Sequence, residues 1–117
     1  MIEINERLTL PEMERILYGN ETVRVSEKLR SQVVASYDFL KEFSKDKVIY
    51  GINTGFGPMA QWRIEDAHLK ELQYNIIRSH STGAGDRIPD ICVRAAMLSR
   101  LMTFLEGHSG VHVSLID

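Results

Sequence analysis

Cysteine is all but missing from these 117 residues: Cys92 stands alone, so no disulfide can form within the chain. An excess of one charge is missing too. Fourteen Lys and Arg are set against sixteen Asp and Glu, interspersed, for a net charge of −2. That removes the electrostatic case for nucleic acid or an anionic membrane surface. No apolar run approaches the roughly 18 residues of a membrane-spanning helix. Residues 1–6 lack the basic start and apolar core of a secretory signal. The expected setting is a reducing cytoplasm.

What is present is ordinary globular material, 44% hydrophobic and 26% charged, enough for one small domain with a modest core. Helical periodicity dominates. Thr9-Leu10-Pro11-Glu12 has the form of a capping box with Pro in the first turn, and Gly19-Asn20 is a stop. Met13, Ile16 and Leu17 line one face between them. Glu21 to Val25 alternates and predicts a short strand. Ser26 caps a second helix to about Ser44, with Leu29, Val33, Tyr37 and Leu40 on one face and Val34 and Phe43 widening it. A third helix is expected from Ile64 or Glu65 to His80. Leu69, Leu72 and Ile76 share one face, and Tyr74 and Ile77 add a second, predicting burial on more than one side. A fourth runs from Pro89-Asp90 to Glu106, again with two apolar stripes. Cys92, on that helix, has no evident base beside it and reads as a core filler.

Between the second and third helices lies Tyr50-Gly51-Ile52-Asn53-Thr54-Gly55-Phe56-Gly57-Pro58. These nine residues hold three of the chain's eight glycines and one of its three prolines. They cannot be helix interior, where Gly costs about 1 kcal/mol and Pro about 3. The large side chains of Tyr50, Ile52 and Phe56 make a poor flexible linker. The run is a shaped loop, either a connector whose aromatics plug the core or a functional loop.

Several chemistries fail on spacing. The Gly-rich run is followed by no Lys-Ser or Lys-Thr, so it is not a P-loop, and it is not Gly-x-Gly-x-x-Gly. His108 and His112 are four apart, but Ser109-Gly110 lies between them and no ligand set is completed, so no metal is expected. His68 reads as solvated. Ser79-His80-Ser81 is adjacency, which says nothing about triad geometry. Tyr50 remains. A tyrosine used as a base needs tuning, since its hydroxyl ordinarily titrates near ~10.

Val48-Ile49-Tyr50-Gly51-Ile52-Asn53-Thr54-Gly55-Phe56-Gly57 closely resembles the N-terminal signature of the aromatic amino acid ammonia-lyases, the histidine, phenylalanine and tyrosine ammonia-lyase family. Leu72-Gln73, Ser79-His80 and Gly83-Ala84-Gly85 resemble a second family segment, and Gly107-His108-Ser109-Gly110-Val111 a third, in the family's order. The resemblance implies a mainly α fold, the N-terminal helical region of a fumarase/aspartase-like lyase. The short β element at 21–25 and the Gly-rich loop at 50–58 would be its irregular parts. It divides the chain into N-terminal helices (1–46), a tyrosine loop (47–63) and the start of the core helices (64–117). It implies removal of ammonia and a β-proton from an aromatic amino acid. Tyr50 would be the catalytic base, with Gly51, Gly55, Phe56 and Gly57 shaping the loop that closes over substrate. His80 and Ser79 would meet the substrate ring. A Ser-His pair resembles the histidine enzymes, whereas phenylalanine enzymes carry Phe-Leu and some tyrosine enzymes His-Leu. Histidine is therefore the expected substrate and tyrosine the alternative, with an aminomutase of the same family also open.

The family's electrophile, 4-methylideneimidazol-5-one, forms from an internal Ala-Ser-Gly, which occurs nowhere in these residues. The chain is accordingly expected to be an N-terminal fragment, inactive alone, of a homotetrameric lyase whose sites are shared between subunits. The non-enzymatic alternative is a helical module that self-associates through its surplus apolar faces.

Overall fold

The computed structural model describes all 117 residues, the side chain of Asp66 apart. Among the described residues there are two short strands and four α-helices: β1 (Ile2–Ile4), α1 (Leu10–Gly19), β2 (Val23–Val25), α2 (Glu27–Phe43), α3 (Asp66–His80) and α4 (Asp90–Leu105). Single 3-10 turns cover Gly57–Met59 and Val113–Leu115. The fold is mainly α, as expected.

β1 pairs with β2 in parallel, Ile2 opposite Val23 and Ile4 opposite Val25. Parallel neighbours need a crossover, and α1 supplies it. β2 is shorter than its alternating pattern: the Glu21 N–H is turned to the Arg15 carbonyl at 3.4 Å, at the end of α1. The Glu21 carboxylate accepts from Arg15 Nε at 2.6 Å and Nη2 at 2.9 Å, and pairs with the N-terminal amine at 3.3 Å. α1 begins as its sequence predicts: the Glu12 carboxylate accepts from the Thr9 N–H at 2.8 Å and from its hydroxyl at 2.7 Å. It ends at Asn20 in the left-handed region, φ 52°, whose N–H bonds the Arg15 carbonyl.

Two compact units emerge. The first comprises residues 1–40 and 87–117. Its core gathers Ile4, Leu29, Val33, Leu105 and Ile116, and a neighbouring cluster gathers Ile2, Ile16 and Leu98 where α1 packs on α4. Fully burying one such aliphatic side chain contributes about 1.5–3 kcal/mol. The C-terminal residues close this unit: the Gly110 N–H donates to Ser36 Oγ at 3.1 Å, Ile116 is buried, and Arg30 pairs with Asp117.

The second unit comprises residues 41–86, the end of α2, the Gly-rich loop and α3. Here two expectations are corrected. α3 is not buried on two sides: Leu69, Leu72 and Ile76 are half-buried, while Tyr74 and Ile77 are exposed. Phe43 likewise stays exposed on α2, as does Val34 in the first unit. In the first unit, α4 buries only one of its two stripes well. Met97 is exposed, and Cys92 is exposed rather than a core filler. An apolar stripe specifies a face that water disfavours, not what covers it.

Candidate functional site

Tyr50 occupies the corner of a tight turn. The Ile49 carbonyl accepts from the N–H groups of Ile52 at 3.1 Å and Asn53 at 3.2 Å. Gly51 takes a φ of +79°, which an L side chain rarely adopts. Space is not the constraint there, because a Cβ would lie an ordinary 3.7 Å from the Phe56 ring. The turn pushes Tyr50 outward, 64% exposed, with its ring edge-on to Phe56 at a centroid distance of 5.8 Å.

The layer beneath is buried and polar. Asn53 is 4% exposed and Thr54 1%. Asn53 Oδ1 accepts from the Ile49 N–H at 2.8 Å, and Nδ2 donates to the carbonyls of Lys47 at 2.7 Å and Ser44 at 3.3 Å. Thr54 Oγ1 accepts from the Gly51 N–H at 3.3 Å and donates to the Gly55 carbonyl at 2.8 Å. Backbone bonds from Ile64 N–H to Asn53 (2.9 Å) and from Gly55 N–H to Trp62 (3.0 Å) pin the loop to residues 62–64. Gly55 is required by space: a Cβ there would stand 2.6 Å from the Met59 carbonyl oxygen. Gly57, at φ +54°, and Pro58 open the following 3-10 turn.

The sequence pattern places Tyr50 and the glycines in this loop but gives Asn53 and Thr54 no separate role. The signal was available, since Asn and Thr in a Gly-rich turn commonly hydrogen-bond neighbouring backbone.

Ser79 and His80 form the last turn of α3, both exposed. Ser79 Oγ donates to the Ile76 carbonyl at 3.0 Å, and His80 Nδ1 lies 2.9 Å from the same oxygen and 3.0 Å from Ser79 Oγ. With the proton on Nδ1 the ring donates to the Ile76 carbonyl and leaves Nε2 as an acceptor; with the proton on Nε2 the Ser79 hydroxyl can donate to Nδ1 instead. Among the described residues, no hydrogen bond or ring contact joins Tyr50 to Ser79 or His80. Each is anchored within its own element.

The remaining histidines are accounted for locally. α4 ends before His108, so no helical i, i+4 pair with His112 arises. His112 bonds Ser114 Oγ at 2.8 Å and stacks edge-on with Tyr37 at 5.1 Å. His68 faces solvent beside Glu71 at 3.7 Å. Among the described residues, no three His, Cys, Asp or Glu side chains gather as a metal set, and no helix is long and apolar enough to cross a membrane.

Residues 8–117 match the family model for aromatic amino acid lyases. The chain belongs to that family. It is 40% identical over 111 residues to a histidine ammonia-lyase of Geobacillus sp. (strain WCH70), covering 94% of this chain and 22% of that protein. It is also 40% identical over 119 residues to a probable histidine ammonia-lyase of Thermoplasma volcanium, covering 100% of this chain and 24% of that one. Among solved structures, the tyrosine aminomutase of Streptomyces globisporus superposes with a TM-score of 0.87 at 30% identity, over 98% of this chain and 22% of the other. The chain thus spans roughly a quarter or less of the length of these lyase-family relatives.

Proposed function

We propose that the protein carrying this chain is an ammonia-lyase that converts L-histidine to trans-urocanate and ammonia, with this chain as its N-terminal part. The observation that carries the substrate reading is the anchoring of His80. In the tautomer in which Nδ1 donates to the Ile76 carbonyl, Nε2 offers a lone pair. That suits a substrate ring bringing an N–H or O–H and gives nothing to a phenyl ring. Between imidazole and phenol, the 40% identity to proteins named as histidine ammonia-lyases favours imidazole.

Tyr50 is the base in this reading. Its Oη, as the phenolate, takes the β-proton while the amine leaves, and a placed base of this kind contributes roughly 10²- to 10⁴-fold. Gly51, Gly55 and Gly57 give the backbone a course that delivers the phenol outward, and closure of such a loop over substrate would exclude water. The electrophile that makes ammonia a good leaving group, a 4-methylideneimidazol-5-one ring, requires an Ala-Ser-Gly that these residues do not contain. These residues cannot form that group, so the 117 residues alone should be inactive. The active assembly in this reading is a cytoplasmic homotetramer. Exposed apolar side chains such as Tyr74, Ile77, Ile88 and Met97 support burial against further protein.

A second reading, an aminomutase returning the amine to the β-carbon, is favoured by the likeness to tyrosine aminomutase. The test is to incubate the full-length protein with L-histidine and with L-tyrosine, following the unsaturated acids by absorbance and β-amino acids by chromatography. Urocanate is the expected product. Coumarate or β-tyrosine in its place would overturn the histidine assignment.

A further inference from the structure

We infer that Asn53 is a positioning residue for Tyr50, acting through the turn rather than on substrate. The inference rests on the reading of Tyr50 as base. Among the described residues the Tyr50 hydroxyl has no hydrogen-bond partner, and its ring touches only Phe56 among the aromatics. The place of the phenol is therefore set by the backbone that carries it. Thr54 Oγ1 ties that backbone after Tyr50, at the Gly51 N–H, and Asn53 ties it before. Every polar group of the Asn53 side chain is spent on the segment leading into Tyr50: Oδ1 on the Ile49 N–H, Nδ2 on the carbonyls of Lys47 and Ser44. Its own N–H returns to the Ile49 carbonyl, and its carbonyl accepts from Ile64.

The residue type follows from this arrangement. The site needs an acceptor facing one N–H and a donor facing two carbonyls, within the reach of a single short side chain. A carboxamide carries one acceptor oxygen and two N–H donors, whereas a hydroxyl has a single donor. An ionised aspartate would keep the acceptor but turn an anion toward two carbonyl oxygens in a buried place. Alanine would leave the Ile49 N–H and the Lys47 carbonyl without their partner, and the Ser44 carbonyl with only the Lys47 N–H at 3.5 Å. In either case the chain before Tyr50 loses side-chain ties and is held to the turn by the backbone bonds to the Ile49 carbonyl. The phenol moves with that chain, and a displacement of about 1 Å at a reacting group can cost about 10²-fold in rate.

A double-mutant cycle in the full-length protein tests this. Asn53→Ala should lower kcat by about 10²-fold while KM changes less than about twofold, because the turn acts on the proton transfer and not on substrate binding. In a Tyr50→Phe background the same change should cost less than about twofold, since the base it positions is already gone. Equal losses in both backgrounds would mean a general structural role and would overturn the inference, as would an unchanged kcat for Asn53→Ala. Asn53→Asp, which preserves shape and the contact to Ile49, is the second variant should alanine fail to fold, and should show the same dependence on background. Near wild-type turnover of Tyr50→Phe itself would instead overturn the base assignment, a failure visible before Asn53 is touched.

Discussion

Gly55 stands against Met59 with no room for a side chain: a Cβ at residue 55 would lie 2.6 Å from the Met59 carbonyl oxygen and 2.8 Å from its Cβ. Gly55→Ala must therefore push apart the loop and the 3-10 turn that follows it. The cost expected of such overpacking is about 1–3 kcal/mol. Trp62 is the chain's one tryptophan, and its carbonyl accepts from the Gly55 N–H at 3.0 Å. Urea unfolding followed by Trp62 fluorescence should show the midpoint fall. An unchanged midpoint would contradict the packing described.

Burial separates two isoleucines that look alike in the sequence. Ile4 is 1% exposed in the core of the first unit, whereas Ile77 is 63% exposed on α3. Ile4→Ala should cost about 2–5 kcal/mol, and Ile77→Ala about 0.5 kcal/mol or less in the 117-residue chain. Denaturant melts followed by far-UV circular dichroism distinguish them.

The Glu12 carboxyl is held below its usual value of 4.5, first by the Thr9 backbone N–H and then by the Thr9 hydroxyl. A carboxyl depressed in the folded state binds fewer protons there than when unfolded, so stability rises with pH across that interval. The contribution is complete above 4.5 and is lost as pH falls through the folded value. Asp117, lowered chiefly by its bond from Arg30, acts in the same direction. Melting temperatures measured from about pH 3 to about pH 6 should show a shallower dependence in Glu12→Gln than in the parent sequence.

Cys92 is exposed on α4. The native 117-residue chain should therefore react with a thiol-specific chromophoric reagent to one equivalent without denaturant, with Cys92→Ser as the blank. Reaction only after unfolding would contradict the exposure.

Much of the helical layout was legible in the residues. α1 carries its start in Thr9 and Glu12 and its stop in Gly19-Asn20, α2 follows Ser26, and α3 ends at His80 as its pattern predicts. The Tyr50 loop was legible too, because glycine at 51, 55 and 57 excludes a helix whatever surrounds it. The hydrogen-bonding roles of Asn53 and Thr54 were not, since an amide or hydroxyl in a turn has several backbone partners within reach.

The residues alone determined what depends on neighbours within a turn or two: periodic apolar faces, caps, breakers and the Tyr-Gly-x-Asn-Thr-Gly-Phe-Gly run that marks the family. Only the tertiary structure decided the parallel pairing of Ile2–Ile4 with Val23–Val25, strands of three residues too short for a period and separated by a whole helix. It also decided which apolar stripes are covered. Leu98 is buried while Met97, its neighbour on α4, is not. The physical reason is the same in both cases: hydrophobic burial is non-directional, so a stripe requires a partner surface without naming one.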